Sequence, residues 1–226
     1  MISLKQAAAQ IKNKQIVAYP TESFYALGAD ATNPAAIRKL FRLKKRESSK
    51  PIALIAADIG QVQNFFYVSS SEMTMAKKYW PGALTMLLQP KVPAGKTVGE
   101  IDERYIATQT LGVKRSHTTP RDQGVITGIL NTITSGQLPR PILIGVRVPG
   151  HAGARQLAKL AEAPITATSA NISGRRPTKN ENTIKRIFPG TPIMLGRCGK
   201  QTKPSTILEV QEPDLRVHRT GAVKIS

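Results

Sequence analysis

Leu43-Lys44-Lys45-Arg46-Glu47-Ser48-Ser49-Lys50-Pro51 runs directly into Ile52-Ala53-Leu54-Ile55-Ala56. Upstream, Ile37, Leu40 and Phe41 recur at helical spacing behind Asn33-Pro34, an N-cap followed by proline at the first helical position. Downstream, the continuous apolar run reads as a buried strand. A helix thus gives way to a strand across a turn holding four cations in seven positions, Lys44 to Lys50. Lys44 lies seven residues after Ile37, so it extends the inward stripe at the last turn. A cation there either snorkels at the rim or reaches into a groove. Arg46 and Lys50 fall on the turn beyond, where they suit a phosphate chain. The plainer alternative is a basic helix end that complements the helix dipole.

The same alternation extends outward from this junction. A helix is expected over 4–12, capped by Ser3, then a strand over 15–19 that stops at Pro20. After the 52–56 strand come helices over 59–66 and 71–79, Trp80-Pro81-Gly82, and a buried strand over 84–88. Residues 91–141 interrupt the rhythm with scattered Gly, Thr and Pro, and read as a long insertion with a short helical pattern at 125–133. Order resumes with a strand over 142–148, a helix over 154–161, a strand over 165–168 and a polar turn at 169–174. A helix over 180–188 and strands over 192–195, 206–210 and 215–218 complete the chain. Strands alternating with helices argue for an α/β fold, and consecutive strands near the end argue for a mixed sheet. One domain over 1–226, carrying the 91–141 insertion, is the expected organisation.

Composition narrows the function classes. With 226 residues and 40% hydrophobic content the chain can bury a full core. No apolar run reaches the length of about 18 residues that a membrane span needs. Cys198 is the only cysteine, which excludes an internal disulfide and a cysteine-based metal site and points to a reducing, cytoplasmic setting. Thirty-three Lys and Arg against 14 Asp and Glu leave a net charge of +19. Polyanions are the expected partners, RNA and nucleotides among them. His117, His151 and His218 are dispersed and have no metal-ligand spacing. Cys198 stands beside Arg197, where a lowered thiol pKa would arise.

Other stretches carry candidate binding groups. Tyr19-Pro20-Thr21-Glu22-Ser23 and Thr168-Ser169-Ala170-Asn171 each follow a strand, where α/β sheets place ligands, and each also reads as an ordinary turn. Arg147 lies between Val146 and Val148 and by alternation faces away from both. An arginine on a buried side calls for an anionic partner. Arg219, at the end of the last strand, is a weaker case of the same kind.

In chain order, these segments resemble the YrdC/TsaC family of threonylcarbamoyl-AMP synthases. The resemblance rests on residues 19–28, on Lys44-Lys45-Arg46 as a Lys-x-Arg motif, on Lys50-Pro51 and on Trp80-Pro81-Gly82-Ala83-Leu84-Thr85. It rests further on Val146-Arg147-Val148-Pro149, on Ser169-Ala170-Asn171 as a Ser-x-Asn motif, on Pro204-Ser205-Thr206-Ile207 and on Arg219-Thr220-Gly221. It implies a YrdC-like domain with a twisted mixed sheet, flanking helices and a deep basic groove. It implies synthesis of L-threonylcarbamoyladenylate and pyrophosphate from L-threonine, bicarbonate or CO2 and ATP, with Mg2+ arriving on the ATP. Proteins that transfer the threonylcarbamoyl group to tRNA would be the partners. By motif, Lys44 and Arg46 take the catalytic role and join Lys50, Ser169, Asn171 and Arg219 in binding ATP. Thr21, Ser23, Arg147 and Ser205 line the threonine end. A paralogue with another substrate, or a tRNA- or double-stranded-RNA-binding module of the same fold, is the alternative. The sequence departs from the family pattern at Leu143, at Glu47 and in the length of the insertion.

Overall fold

A computed structural model describes residues 1–46, 51–91 and 143–226. Lys50, Glu47, His117, the helical pattern at 125–133 and all of the 91–141 insertion except Lys91 lie outside the described residues.

The described elements are a mixture of helices and strands. Helices α1 (Leu4–Lys12), α2 (Pro34–Lys44), α3 (Ile59–Phe65), α4 (Ser70–Tyr79), α5 (Ala152–Ala161) and α6 (Glu181–Ile187) surround two hydrogen-bonded sheets. Strands β1 (Val17–Pro20), β2 (Tyr25–Gly28) and β7 (Thr168–Ser169) form the smaller sheet, in the order β1-β2-β7. The larger follows the order β6-β3-β5-β4-β8-β9, built from β3 (Leu54–Ile55), β4 (Leu84–Leu88), β5 (Ile144–Arg147), β6 (Ile165–Thr166), β8 (Thr206–Gln211) and β9 (Asp214–Arg219). Pairs β3–β5 and β4–β8 are parallel, whereas β3–β6, β4–β5 and β8–β9 are antiparallel. The expected mixed sheet is therefore present. Among the described residues no helix is long and apolar enough to cross a membrane.

Local chemistry explains the helix ends. Ser3 and Gln6 form a reciprocal capping box on α1, and Ser69 with Glu72 does the same on α4. The Asn33 side chain accepts the Ala35 and Ala36 N–H groups, with Pro34 leading α2. The α2 helix ends at Lys45, whose φ of 48° is left-handed without a glycine.

Register divides the larger sheet into two faces. Leu208, Met86, Val146 and Leu54 stand in one row, opposite one another on neighbouring strands. They pack with Trp80, Val62 and Ala76 beneath α3 and α4. The next row carries Arg219, Ile207, Thr85, Arg147, Ile55 and Ile165, by the same pairings and one further step along β4–β5. Ile55 and Ile165 pack with Tyr19, Ile11 and Leu157 under α1 and α5. A third cluster joins Leu40 of α2, Tyr25 and Leu27 of β2, and Ile184 and Phe188 at α6. Each fully buried side chain such as Leu40 contributes about 1.5–3 kcal/mol.

Three expectations changed. β2 had no sequence forecast, because Tyr25-Ala26-Leu27-Gly28 is short and carries no β-branched residue, unlike the equally buried β1 and β4. The 165–168 strand divides: Ile165–Thr166 pairs with β3, the Ala167 N–H goes to the Ala53 carbonyl, and Thr168–Ser169 crosses to β2. The 192–195 segment makes isolated bridges to Ile2 and Ala18 rather than a ladder.

Candidate functional site

Lys44 follows Ala36, Ile37 and Leu40 on the buried stripe of α2 and is 1% exposed. Its Nζ donates to the Asn171 carbonyl at 2.8 Å and to the Ser169 carbonyl. In return, the Lys44 carbonyl accepts the Ser173 N–H at 3.2 Å. The Lys-x-Arg and Ser-x-Asn motifs are therefore one structural unit, although 125 residues separate Lys44 from Ser169. Burial, and then the neighbouring Arg46 charge, pull the ammonium down from 10.5 to about 8. Arg46 Nη2 donates to the Pro51 carbonyl at 2.8 Å, which ties the two sides of the basic turn together.

The Ser169 hydroxyl donates to Asn171 Oδ1, and Asn171 Nδ2 donates to the carbonyls of Ile172 and Arg175. Asn171 is buried and Ser169 exposed. The turn is thus braced by the very groups expected to meet a nucleotide. β2 places it: Ala26 pairs with Ser169, and the Ala170 N–H reaches the Tyr25 carbonyl.

The loop that leaves β1 enters β2 at this same end, beside Tyr25. The Thr21 hydroxyl donates to the Phe24 carbonyl at 2.7 Å and accepts the Ser23 N–H at 3.3 Å, so it holds the turn. Ser23 Oγ lies 3.5 Å from Thr21 Oγ1. A strap over 196–201 covers this loop. The Tyr25 hydroxyl reaches the Gly196 carbonyl, His151 Nε2 the Arg197 carbonyl, and Lys179 Nζ the Gly199 carbonyl. The Gly199 and Gln201 N–H groups donate to the Thr21 and Glu22 carbonyls. Cys198 lies within the strap, and burial pushes its thiol up, opposite to the shift suggested by the adjacent Arg197. A Cβ at Gly199 would stand 2.4 Å from the Glu22 carbonyl oxygen. Gly199→Ala is therefore expected to displace the strap and lower stability by about 1–3 kcal/mol; an unchanged denaturation midpoint would show that the loop gives way freely.

Arg147 occupies the row facing α1 and α5, away from Val146 and Val148, as alternation indicates. Its anionic partner is Glu22, at 3.4 Å. The carboxylate also accepts the Gly150 N–H at 2.6 Å. Along the same row, Thr85 Oγ1 and Ser205 Oγ are 2.8 Å apart, and Arg219 donates to the Ser205 carbonyl at 2.9 and 3.0 Å and to its hydroxyl at 3.1 Å. Partial desolvation, then the Arg147 charge, lower the Arg219 guanidinium below its ordinary range, although the residue as a whole is exposed. Arg219 and Ser205, expected at opposite ends of the site, are thus in direct contact. Glu22, Thr85 and Gly199 were not among the expected site residues. The need of Arg147 for an anion was the one sequence signal that pointed to Glu22.

The Sua5/YciO/YrdC family profile, described as "Telomere recombination", matches residues 9–113 and 115–221. The chain belongs to the Sua5/YciO/YrdC family. A threonylcarbamoyl-AMP synthase of Neisseria meningitidis is 29% identical over 208 residues, covering 91% of this chain and 89% of the relative. P. abyssi Sua5 bearing two alanine substitutions superposes with a TM-score of 0.71 at 26% identity, over 97% of this chain and 56% of that one. A P. abyssi Sua5 structure complexed with L-threonine gives 0.69 at 27% identity. This chain thus spans just over half the length of those Sua5 chains. E. coli YciO shares the fold, with a TM-score of 0.68 at 20% identity over 98% of this chain and 90% of that one. A second N. meningitidis relative, from serogroup C, is also a threonylcarbamoyl-AMP synthase and matches at 29% identity over the same 208 residues.

Proposed function

We propose that this Sua5/YciO/YrdC member is a threonylcarbamoyl-AMP synthase, taking L-threonine, bicarbonate or CO2, and ATP to L-threonylcarbamoyladenylate and pyrophosphate. The observation that carries the reading is the buried Lys44 ammonium seated on the Ser169 and Asn171 carbonyls, beside Arg46. Support comes from the N. meningitidis relative named for this activity and from the P. abyssi Sua5 complex with L-threonine.

On this reading the threonine nitrogen bonds to the carbon of bicarbonate with loss of water, giving a carbamate. A carbamate oxygen then attacks the α-phosphorus of ATP, and the bond to the pyrophosphate oxygen breaks. The carboxylated threonine and ATP are both anions, so preorganised cations and alignment supply the catalysis. Lys44, Arg46, Lys50, Ser169 and Asn171 take the nucleotide side. Thr21, Ser23, Arg147 and Ser205 take the threonine side, and Arg219, expected on the nucleotide side, joins them through its bonds to Ser205. Among the described residues no group of three His, Cys, Asp or Glu side chains is placed to hold a metal ion; Mg2+ would enter on the triphosphate. We further propose one YrdC-like domain with a basic groove, cytoplasmic, handing its adenylate to threonylcarbamoyl-transfer proteins that modify tRNA. The test is pyrophosphate release with each substrate omitted in turn. Release must require threonine, bicarbonate and ATP together; release that ignores threonine or bicarbonate refutes the reading. The net charge of +19 favours one other reading, an RNA-binding module without chemistry, and no release in any mixture would favour it.

Lys44 also sets a pH dependence. Its folded value is about 8, against 10.5 for a free amine, so between these values the unfolded chain holds a proton the folded chain has lost. Stability therefore rises with pH across that window. A bound phosphate chain favours the charged amine, so nucleotide binding takes up a proton near pH 8. ATP affinity is expected to fall by up to about tenfold per pH unit above that point. Calorimetry at rising pH, in buffers of different ionisation heat, would show proton uptake; pH-independent binding would place Lys44 away from the phosphates.

A further inference from the structure

Glu22 is held from both sides. Its backbone carbonyl accepts the Gln201 N–H at 3.0 Å, with Gly199 packed against it. Its carboxylate is divided between the Gly150 N–H at 2.6 Å and Arg147 at 3.4 Å. The two side chains are 15% and 13% exposed. The proposed chemistry has no use for this carboxylate. ATP, bicarbonate, the carbamate and the threonine carboxylate are all anionic, so a fixed negative charge beside those groups opposes their binding.

The geometry of the pair shows what it leaves open. A single contact at 3.4 Å is long for a charge-assisted bond, and it is not the two-pronged fork that arginine forms with carboxylates. The remaining guanidinium N–H groups of Arg147 make no hydrogen bond among the described residues. Arg219 stands along the same row, linked through Ser205 and Thr85. Two guanidinium groups and one carboxylate sum to a single positive charge. A ligand with one negative charge brings that cluster to neutrality. A phosphate or pyrophosphate overshoots and meets Glu22 repulsion. At Lys44 the arrangement differs, since its ammonium is seated on carbonyls rather than a carboxylate.

We propose that Glu22 determines specificity: its charge reserves the Arg147–Arg219 row for a singly charged carboxylate and turns phosphate groups towards Lys44 and Arg46. The identification of that carboxylate as an amino acid's, and of the phosphates as a nucleotide's, rests on the synthase reading. The charge balance itself is set by the geometry of the row.

The probe is inorganic pyrophosphate, with Glu22→Gln as the variant. Glutamine keeps the side-chain length and an oxygen for the Gly150 N–H, and removes only the charge. Calorimetry is expected to show one pyrophosphate bound by the wild-type chain and a second bound by Glu22→Gln. That second site should vanish in the double variant Glu22→Gln/Arg147→Met. In turnover, pyrophosphate should become competitive with threonine in Glu22→Gln, raising the apparent KM for threonine about tenfold, while KM for ATP stays as in the wild type. Unchanged stoichiometry together with unchanged inhibition would overturn the proposal. If Glu22→Gln does not fold, the wild-type chain still decides: pyrophosphate must compete with ATP and not with threonine, and competition with both overturns the filter. Failure of the synthase reading itself is read separately, because the stoichiometry needs no turnover.

Discussion

Lys44→Met is expected to lower kcat/KM for ATP-dependent pyrophosphate release by about 10²–10³-fold while the protein stays folded. The size of the loss follows from removing a preorganised cation from a water-poor site where negative charge accumulates in the transition state. Methionine keeps most of the stem volume, so the space between α2 and the Ser169–Asn171 turn remains filled. Two carbonyls lose their donor, at a cost of about 1–3 kcal/mol each if no water reaches them. Release of the buried ammonium's desolvation cost offsets part of this. Lys44→Ala is a different experiment. It empties the space as well as removing the charge, so its loss of activity would mix catalysis with a loosened turn. Steady-state kinetics beside denaturant melts separate the two, and a folded Lys44→Met enzyme within a few-fold of wild type would end the phosphate assignment.

Arg147→Met is expected to raise KM for threonine about 100-fold with little change in KM for ATP. It also leaves Glu22 with the Gly150 N–H as its remaining side-chain partner, in a setting where the carboxylate is 15% exposed. Breaking one side of a largely buried ion pair destabilises more than the pair itself stabilises. Discounted for the remaining exposure, a loss of about 1–3 kcal/mol is expected. The double variant Glu22→Gln/Arg147→Met should recover most of that stability and none of the threonine affinity. A double-mutant cycle on melting free energies reads the coupling. Additive losses would mean that the 3.4 Å contact carries no energy. An equal rise in both KM values would mean that Arg147 serves the fold rather than the threonine end.

Much of this molecule was legible in the chain. The caps at Ser3 and Asn33 act within three residues of themselves, so their chemistry needs no tertiary context. The phase of Lys44 on the Ile37–Leu40 stripe and the alternation around Arg147 are likewise local geometry, and both side chains lie on the faces that their spacing indicates. The two-residue bridges of β3, β6 and β7 were harder, because their pairing is set by partners far away in sequence. Ser169, Asn171 and Thr21 read in the chain both as binding groups and as ordinary turn residues, and their local bonds were not legible there. Short polar side chains compete for nearby backbone groups in any turn, and sequence does not say which contact wins.

The sequence by itself determined the helix and strand faces, the α/β class, the polyanion-attracting charge and the ordered motifs, since each depends on periodicity, composition or neighbours along the chain. Tertiary structure alone decided what those motifs do to one another. The Thr21–Phe24 loop and the Ser169 turn meet at the Tyr25 end of the uniformly buried β2, Lys44 crosses to carbonyls 125 and 127 residues away, and Glu22 reaches Arg147 across a similar distance. Those pairings are long-range contacts selected by burial, and burial in a strand leaves no alternating pattern to read in advance.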